Sequence, residues 1–439
     1  MEITTIRTPG LGDNTYVVVH DGQAIVVDPQ RDIDRFLFVL NESNAELRYV
    51  LETHIHNDYV SGGRELAAVT GAEVVLPAAG AVKFDHLPAF HNEDITSGSW
   101  SVRPIHTPGH TPEHLSYLAV VDGEPAALFS GGSLLVGSAG RPDLLGMDRA
   151  RTLAHLQYIS VNRLAELPDE VGLYPTHGAG SFCTSTVAGA HTSTIGQERR
   201  TNPVLQYADR ESFIEGQLAG LQPYPSYYAH MGPANLAGPA PRETHSLPEL
   251  TVADIGNATV VDVRPAEQYA AGHLRGSIGI PFGDQVGVWA GWVLPFDTAV
   301  VVVAERGQDV DEVHRQFSRI GFDRVLGVVF ELPDRAELVS YEAVRIDEFV
   351  RRLLNGDIGR IVDVRAPDEW DAGKVGGSIH RYVPDLYESV ADLSSEQPVW
   401  LLCASGHRST IAAAALERSG LKPAVLLGHG VADVLKRLG

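Results

Sequence analysis

Short apolar runs recur along the chain, and in the carboxy-terminal half they alternate with helix-like stretches. Residues 47–51 and residues 399–402 are two such runs, and the pattern predicts a buried strand at each. A helix-like stretch at residues 409–418 follows the second run. This alternation is typical of α/β folds with parallel sheets. Residues 223–248, rich in Pro, Gly and Ala, interrupt it and predict a linker or an irregular wrap between domains.

The carboxy-terminal half contains an internal repeat. The sequence Thr-Val-Val-Asp-Val-Arg around Asp262 returns as Arg-Ile-Val-Asp-Val-Arg around Asp363, an offset of about 101 residues. A Gly-Ser-Ile sequence at Ser277 returns at Ser378. An offset of this size fits one small α/β domain per copy.

The composition narrows the class of protein. A chain of 439 residues is long enough for two to four domains. A net charge of -22 argues against a nucleic-acid partner. The first residues lack the features of a signal peptide, and no apolar stretch reaches the ~20 residues of a membrane span. Two cysteines far apart make no disulfide framework, so we expect a cytoplasmic protein.

One of the two cysteines, Cys403, stands between a predicted strand and a predicted helix. A turn of this kind points successive backbone N–H groups at one position, and the helix N-terminus adds positive potential there. We therefore expect a thiolate at Cys403, able to act as a nucleophile or as a sulfur carrier. The loop consists of Cys403, Ala404, Ser405, Gly406, His407 and Arg408.

Residues 244–439 resemble two rhodanese domains, and the second copy matches more closely. The matching residues in this copy are Asp363, Arg365, Glu369, Gly377, Ser378, Cys403, Gly406 and Arg408. In rhodaneses the active-site cysteine receives a sulfane sulfur and passes it on as a persulfide. The resemblance therefore implies that Cys403 is the nucleophile and that Arg408 stabilises the leaving anion. The six-residue loop has the length associated with sulfur transfer, whereas phosphatases of this fold use a loop one residue longer.

The first copy departs from the rhodanese pattern at its own loop, residues 304–309. Ala304 stands where the cysteine would be, and Asp309 stands where the cationic arginine would be. Alanine offers no thiolate, and a carboxylate at a helix N-terminus repels an anion. We therefore predict that residues 244–340 are a catalytically inactive rhodanese fold.

Histidines follow several strand-like runs of the amino-terminal half. His54 and His56 alternate in an extended turn, so both imidazoles can reach one ion, and His110 can supply a third. The motifs are Thr-His-Ile-His-Asn-Asp-Tyr from residue 53, Thr-Pro-Gly-His from residue 107, Phe-Ser-Gly-Gly from residue 129 and Tyr-Pro-Thr-His from residue 174.

These motifs, in this order, resemble the metallo-β-lactamase superfold over residues 1–225. In dinuclear members such as glyoxalase II, the resemblance implies His54, His56 and His110 on one metal. Asp58, the residue after it and His177 would hold a second, with an aspartate in the Phe-Ser-Gly-x segment bridging the two. In persulfide dioxygenases, two histidines and that aspartate hold a single Fe(II). A fusion to rhodanese repeats resembles the persulfide dioxygenase–rhodanese proteins of sulfide metabolism.

Two positions depart from that family pattern. Tyr59 replaces the histidine of the second metal, and Gly132 stands where the aspartate would be. The predicted metal ligands are therefore His54, His56 and His110, with Asp58 or water. Such a set is compatible with Fe(II), which we favour, with Zn(II), which lowers the pKa of bound water to roughly 7, or with a site that has lost its metal.

Further residues are candidates for the surroundings of the pocket. Cys183 follows His177 by six residues and is either a persulfide or thiol contact or a buried apolar-like cysteine. Arg141 and Asp143 are expected to form an ion pair that shapes the pocket. Four other histidines are assigned structural roles: His106, His114, His155 and His191.

The sequence thus predicts a metallo-β-lactamase-like αββα sandwich at residues 1–225, a linker at 226–243 and two rhodanese-like α/β domains with parallel sheets at 244–340 and 341–439. The predicted function is metal-dependent processing of a low-molecular-weight thiol persulfide, coupled to sulfur transfer through Cys403. Sulfite, thiosulfate, cyanide or a thiol would donate or accept the sulfur. The alternatives are a zinc-dependent thioester hydrolase fused to a sulfurtransferase, and a degenerate metal domain that acts as a scaffold. Homo-oligomer formation is left open.

Overall fold

The structure, a computed structural model, describes residues 1–184, 190–242, 246–393 and 396–439. They fall into two units: the first reaches residue 244 and includes residues 318–321, and the second holds the rest of the chain up to residue 439. The predicted boundary between residues 243 and 244 lies outside the described residues.

The first sheet of the amino-terminal unit has the strand order β1-β2-β3-β4-β5-β6. Its first three strands are antiparallel, and β3 to β6 are parallel. The strands are β1 (Glu2–Thr8), β2 (Asp13–His20), β3 (Gln23–Val27), β4 (Glu46–Leu51), β5 (Glu73–Pro77) and β6 (Leu87–Ala89). The central strands are buried on both faces, which requires a packed layer on each side of the sheet.

The second sheet of this unit has the order β14-β13-β10-β9-β8-β7. Its strands are β7 (Ile95–Ser97), β8 (Trp100–His106), β9 (Leu115–Val121), β10 (Glu124–Gly131), β13 (Gly172–Pro175) and β14 (Ser193–Thr194). A small hairpin of β11 (Leu134–Leu135) and β12 (Ser138–Ala139) follows β10.

Three apolar layers hold the amino-terminal unit together. Tyr16 and Val27 of the first sheet meet Tyr117 and Phe129 of the second in a fully buried core. Outside the first sheet lie α1 (Asp34–Ser43) and α2 (Gly63–Thr70). Outside the second lie α3 (Met147–Leu164), α4 (Ile195–Thr201) and α5 (Arg210–Ala219). This arrangement is the predicted αββα sandwich.

The segment predicted as a linker contains a helix, α6 (Tyr228–Ala237). The Pro- and Gly-rich composition of residues 226–243 suggested irregular chain, but Tyr228, Met231 and Asn235 are buried. The linker prediction is therefore wrong for these residues. A helix of 10 residues with an internal proline is marginal by itself, so burial of one face stabilises it.

The carboxy-terminal unit contains two parallel sheets, one for each predicted copy. The first has the order β16-β15-β17-β18, and the second has the order β19-β23-β22-β20-β21. The strands of the first are β15 (Thr259–Asp262), β16 (Ile278–Gly279), β17 (Val300–Val303) and β18 (Val325–Val329). Those of the second are β19 (Glu342–Val344), β20 (Ile361–Asp363), β21 (Ile379–His380), β22 (Val399–Leu402) and β23 (Pro423–Leu426).

Helices connect these parallel strands, as the crossover of a parallel sheet requires. The first copy has α7 (Ala266–Ala271), α8 (Val286–Val293) and α9 (Val310–Arg319). The second has α10 (Ile346–Asn355), α11 (Pro367–Ala372), α12 (Val383–Glu388), α13 (His407–Arg418) and α14 (Val431–Leu438). Among the described helices, none combines the length and apolarity that a bilayer crossing needs.

Candidate functional site

The histidine motifs of the amino-terminal unit follow the carboxyl ends of four strands. His54 follows β4, His110 follows β8, Gly132 follows β10, and His177 follows β13. All four residues lie in the unit's interior, and the three histidine side chains are at most 1% exposed. The sandwich therefore gathers the predicted motifs into one buried cluster.

A chain of hydrogen bonds orients His54. Its Nδ1 lies 2.8 Å from Thr53 Oγ1, and that hydroxyl donates to Asp28 Oδ2 at 2.7 Å. Because the Thr53 proton is committed to the carboxylate, Nδ1 of His54 is the donor and Nε2 keeps a lone pair. Burial, and then the neighbouring histidines, hold the pKa of His54 well below its usual value, so the ring is neutral.

His110 and His177 are held in the same way. Nδ1 of His110 donates to the Arg141 carbonyl at 2.8 Å, and Nδ1 of His177 donates to Asp13 Oδ1 at 2.9 Å. Burial lowers the pKa of both rings. Each side chain therefore presents Nε2 as a free acceptor, the form in which histidine binds metals.

The three Nε2 acceptors converge. His54 Nε2 lies 3.4 Å from His177 Nε2, and the ligand atoms of His54, His110 and His177 all lie within 4.8 Å of one another. His110 Nε2 is buried and has no hydrogen-bond partner among the described residues. Buried acceptors that face one another without a proton donor fit a cation between them, so these residues fit one divalent metal.

The structure places His56 outside this three-histidine group, in contrast to the predicted ligand set. His56 Nε2 lies 3.1 Å from Asp28 Oδ1, 3.3 Å from Glu52 Oε2 and 3.0 Å from the Tyr59 hydroxyl. Burial opposes a charge on His56, but the two carboxylates outweigh it and raise its pKa well above the usual value. Tyr59 supports His56, since the two rings stack with their centroids 4.3 Å apart.

A pair of carboxyl groups, Asp13 and Asp58, lies beside His177. Asp58 Oδ2 is 3.4 Å from His177 Nδ1, and its Oδ1 is 4.0 Å from His56 Nδ1. Burial raises the pKa of each carboxyl to about 7; the charge of Asp13 adds to the rise at Asp58, whereas the hydrogen bond with Asp58 acts against the rise at Asp13. His56, Asp58 and His177 form a second group whose ligand atoms lie within 4.8 Å, so His177 is common to two potential metal positions.

At Gly132, where the family aspartate is missing, the ring of His110 fills the space that a side chain would occupy. A Cβ at this position would lie 2.3 Å from His110 Cδ2, because the imidazole occupies that space. The Gly132 N–H donates to His114 Nε2 at 2.9 Å, and His114 Nδ1 lies 2.9 Å from Thr107 Oγ1. His114 is therefore structural, as predicted, but it lies against the site, and nothing in the sequence signals this.

Cys183 and Arg141 line the same region. Arg141 and Asp143 form the predicted ion pair, with Nε to Oδ1 at 2.7 Å and Nη2 to Oδ2 at 2.8 Å. Cys183 is fully buried, and its Sγ lies 3.9 Å from the Tyr228 hydroxyl of α6. Burial raises the pKa of its thiol well above the usual value, which favours the protonated form and not a thiolate.

Helix α6 supports the metal-motif loop from the predicted linker. Asn235 Nδ2 donates to the carbonyls of His56 and Tyr59, both at 2.9 Å. Its Oδ1 accepts from the Ser61 N–H at 2.9 Å. Sequence reasoning missed this residue, because an asparagine in a Pro- and Gly-rich stretch is an ordinary loop signal.

The second candidate site is the Cys403 loop of the carboxy-terminal unit. The Gly406 N–H donates to Cys403 Sγ at 3.0 Å, and Gly406 adopts φ 101°, a left-handed conformation that favours glycine. Helix α13 begins at the next residue, so its positive end faces the sulfur. Backbone N–H groups of Gly428 and Val431 hold the loop from outside, bonding to the carbonyls of Ser405 and Cys403.

Two arginine–carboxylate pairs flank this loop. Arg408 makes a bidentate pair with Glu369, including Nη2 to Oε1 at 2.8 Å. Arg365 makes a buried pair with Asp363, with Nη2 to Oδ2 at 2.6 Å. Glu369 thus holds the guanidinium of Arg408, and Arg365, which also donates to the Gly373 carbonyl, fixes the strand end that precedes α11.

The corresponding loop of the first copy is closed by its own side chains. Gln308 Oε1 accepts from the Glu305 N–H at 2.7 Å, and its Nε2 donates to the Val263 carbonyl at 2.9 Å. Asp309 Oδ1 accepts from the Glu312 N–H at 2.9 Å and so caps α9. These contacts engage one N–H of the loop and one N–H of the first turn of α9.

Comparisons with known proteins cover both halves of the chain. A family model described as the metallo-beta-lactamase superfamily matches residues 8–177, and one described as a rhodanese-like domain matches residues 249–328 and 346–436. A crystal structure of a metallo-beta-lactamase from Staphylococcus aureus subsp. aureus COL is similar, with a TM-score of 0.69 at 28% identity. The similarity covers 75% of this chain and 98% of that one.

Curated relatives match the amino-terminal half. The hydroxyacylglutathione hydrolase of Tolumonas auensis is 34% identical over 190 residues, which is 40% of this chain and 65% of that protein. The hydroxyacylglutathione hydrolase of Acidiphilium cryptum is 30% identical over 232 residues, 49% of this chain and 95% of that protein. The chain thus spans slightly less than two thirds of the Tolumonas protein and nearly all of the Acidiphilium protein.

Proposed function

Because the chain belongs to the metallo-beta-lactamase superfamily and continues into two rhodanese-like domains, we propose that it handles sulfane sulfur. The amino-terminal site would process a low-molecular-weight thiol persulfide with a divalent metal, and Cys403 would transfer sulfur to or from the products. The observation that carries this proposal is the Cys403 loop, in which the Gly406 N–H donates to the sulfur, α13 begins directly after that glycine, and Arg408 lies in the first turn of the helix.

The transfer step follows from that geometry. The Cys403 thiolate attacks the outer sulfur of a sulfane donor, the donor's S–S bond breaks, and the leaving thiolate or sulfite departs with the electron pair. Arg408 and the loop N–H groups stabilise the departing anion and then the Cys403 persulfide. A nucleophilic acceptor such as sulfite, cyanide or a thiol takes the outer sulfur and restores the Cys403 thiolate.

The amino-terminal residues supply a place for the metal. His54, His110 and His177 would hold it as neutral ligands, each fixed through Nδ1. A bound Fe(II) would supply redox chemistry toward dioxygen, and a bound Zn(II) would supply an acidified water. We favour Fe(II) for two reasons. The group contains a single set of three histidines, and the fusion to a sulfur-carrying domain favours a persulfide as the substrate.

A hydrolase of thioesters is the second candidate function. The observation that favours it is the second ligand group of His56, Asp58 and His177, which would create a two-metal site with His177 between the metals. One observation opposes it: Gly132 stands where the bridging carboxylate would be and supplies none.

Metal analysis after anaerobic purification, combined with two assays, tests the proposal. We expect iron, dioxygen uptake with glutathione persulfide as substrate, and thiocyanate formation from thiosulfate and cyanide. The Cys403→Ser variant should lose thiocyanate formation by more than about 1,000-fold and keep dioxygen uptake. The His110→Ala variant should show the reverse pattern.

Three outcomes would contradict the proposal in different ways. Zinc without iron, with thioester cleavage and no dioxygen uptake, would establish the hydrolase. Thiocyanate formation that survives Cys403→Ser would refute the transfer role of Cys403. If the metal-loaded wild type showed neither dioxygen uptake nor thioester cleavage, the amino-terminal unit would be a scaffold.

A further inference from the structure

Helix α13, whose first turn faces Cys403, is attached to the inactive copy at its amino-terminal end. His407 is the first residue of α13 and follows Gly406 directly. Its Nε2 lies 3.1 Å from the carbonyl oxygen of Pro281, which belongs to the inactive copy. Since a carbonyl only accepts, Nε2 is the donor. The start of the catalytic helix is therefore bonded to a backbone atom of the neighbouring domain.

The same helix is attached to the inactive copy near its other end. Glu417 lies in the last turn of α13, and its Oε2 is 2.9 Å from His273 Nε2. His273 is fully buried and lies 3.9 Å, centroid to centroid, from the parallel ring of Tyr269. Its Nδ1 donates to the Tyr269 carbonyl at 2.7 Å. The imidazole that holds Glu417 is thus fixed on both sides within the inactive copy.

Aromatic packing joins the two copies between these bonds. Trp292 of α8 meets Tyr382 edge to face, with centroids 5.5 Å apart. Tyr382 is buried and precedes α12, which packs against α13. Burial raises the pKa of its hydroxyl, and the charge of Arg408 acts in the opposite direction, so the junction reaches the cationic side of the Cys403 loop.

We propose that the inactive rhodanese-like copy is a positioning element of the sulfur-transfer site. It fixes α13 at both ends, through His407 to Pro281 and through Glu417 to His273. It thereby sets where Arg408 and the loop N–H groups lie relative to the Cys403 sulfur. Catalysis by preorganised donors is sensitive to displacements of less than an ångström, so this attachment changes the rate without touching the substrate. The inference rests on the proposed sulfur transfer at Cys403.

Variants of Glu417 test the attachment that is remote from the loop. Glu417→Ala removes the bond to His273, whereas Glu417→Gln keeps an acceptor oxygen of similar reach. We expect Glu417→Ala to lower kcat/KM for thiosulfate and cyanide by about 5- to 20-fold, and Glu417→Gln to restore most of it. Arg418→Ala is the matched control, because it removes the adjacent exposed side chain of the same helix and should stay within twofold of the wild type.

A second pair, His407→Ala and His407→Gln, tests the other end, since glutamine can still donate to the Pro281 carbonyl. The alkylation rate of Cys403 by iodoacetamide gives a second readout, because a loss of stability alone would raise the rate at this buried thiol. We expect it to fall in both alanine variants while the protein stays folded at 25 °C.

The possible outcomes distinguish a failure of this inference from a failure of the proposed sulfur transfer at Cys403. A wild type that forms no thiocyanate would refute the proposed function. An active wild type with unchanged kcat/KM and alkylation rate in folded Glu417→Ala would overturn the inference. If Glu417→Ala does not fold, the His407 pair decides: equal rates in His407→Ala and the wild type would overturn it.

Discussion

In two places the chain lacks a residue of the family motif, and the hydrogen bonding around the two positions differs. At Ala304 the thiol is missing, and Gln308 and Asp309 accept hydrogen bonds from the backbone N–H groups of Glu305 and Glu312. At Gly132 the carboxylate is missing, yet the neighbouring His110 Nε2 stays buried without a hydrogen-bond partner in the described part of the chain.

The two sites differ in which of their polar atoms have hydrogen-bond partners within the protein. Buried polar groups are nearly always hydrogen-bonded, so a cluster of unsatisfied acceptors indicates a ligand, whereas a fully paired loop indicates a site that has closed. Loss of one motif residue is therefore a poor criterion for loss of a site. At the Gly132 site, where the aspartate is missing, His177 lies with His54 and His110 in one group of candidate ligands, although the sequence assigned it to a second metal.

Among the variants that test this comparison, the removal of the His177 side chain should have the largest effect, and the effect should be on metal affinity. We expect His177→Ala to weaken Zn²⁺ binding to the metal-free protein by more than about 100-fold, since it removes a ligand and not merely a supporting group. Isothermal titration calorimetry measures the affinity. The control is Tyr59→Phe, because Tyr59 contacts His56 and not the three-histidine group. Equal affinities for His177→Ala and the wild type would contradict our assignment of the ligands.

Filling the space at Gly132 should have the next largest effect. In Gly132→Ala the new methyl group would lie 2.3 Å from His110 Cδ2, so the ring must move. Overpacking of this kind costs about 1–3 kcal/mol of stability, and we expect Zn²⁺ affinity to fall with it. Gly283→Ala, which adds a methyl group in open space, is the control. Unchanged affinity and stability in Gly132→Ala would show that His110 does not depend on the absent side chain.

The pH dependence of stability should show a smaller effect at His114. Burial lowers the pKa of His114 to about 3, while the unfolded chain keeps about 6.5. The unfolded state therefore binds a proton first, and stability falls as pH decreases below about 6.5. Between pH 8 and pH 5 the share of His114 is about 2 kcal/mol.

Hydrogen exchange in the amino-terminal unit measures this dependence. His114→Gln should reduce the loss between pH 8 and pH 5, because glutamine does not titrate. A parallel decline in the variant and the wild type would assign the pH dependence to the other buried histidines.

Restoring a cysteine to the inactive copy should have the smallest effect. In the Cys403→Ser background, Ala304→Cys is expected to give no thiocyanate formation, because Gln308 fills the loop and Asp309 repels an anion. Ala304→Cys with Gln308→Gly opens the loop and is the informative companion variant. Sulfur transfer by the single Ala304→Cys change would show that the loop was never closed.

The sequence was sufficient for the parts of the molecule that depend on local pattern. The resemblance carried by the histidine motifs predicted the αββα sandwich, and the repeat around Asp262 and Asp363 predicted two parallel sheets. The Cys403 loop was equally accessible, because strand, glycine turn and helix are consecutive in the chain.

The remaining features depend on contacts between distant residues. The sequence did not show that Nδ1 of His177 meets Asp13 or that Nε2 of His56 meets Asp28, because neither carboxylate is near its histidine in sequence. Helix α6 escaped prediction for a related reason. Its composition is that of a linker, and burial of one face and the tertiary bonds of Asn235 stabilise it.

Helix α8 has a consequence for proteolysis and solubility. All eight of its residues, Val286–Val293, are buried, including both tryptophans. A helix that is apolar on every side has no face suited to water. Proteolysis between the two copies would therefore leave an exposed apolar surface on the fragment that contains α8. We therefore expect the inactive copy to aggregate when it is excised from the chain.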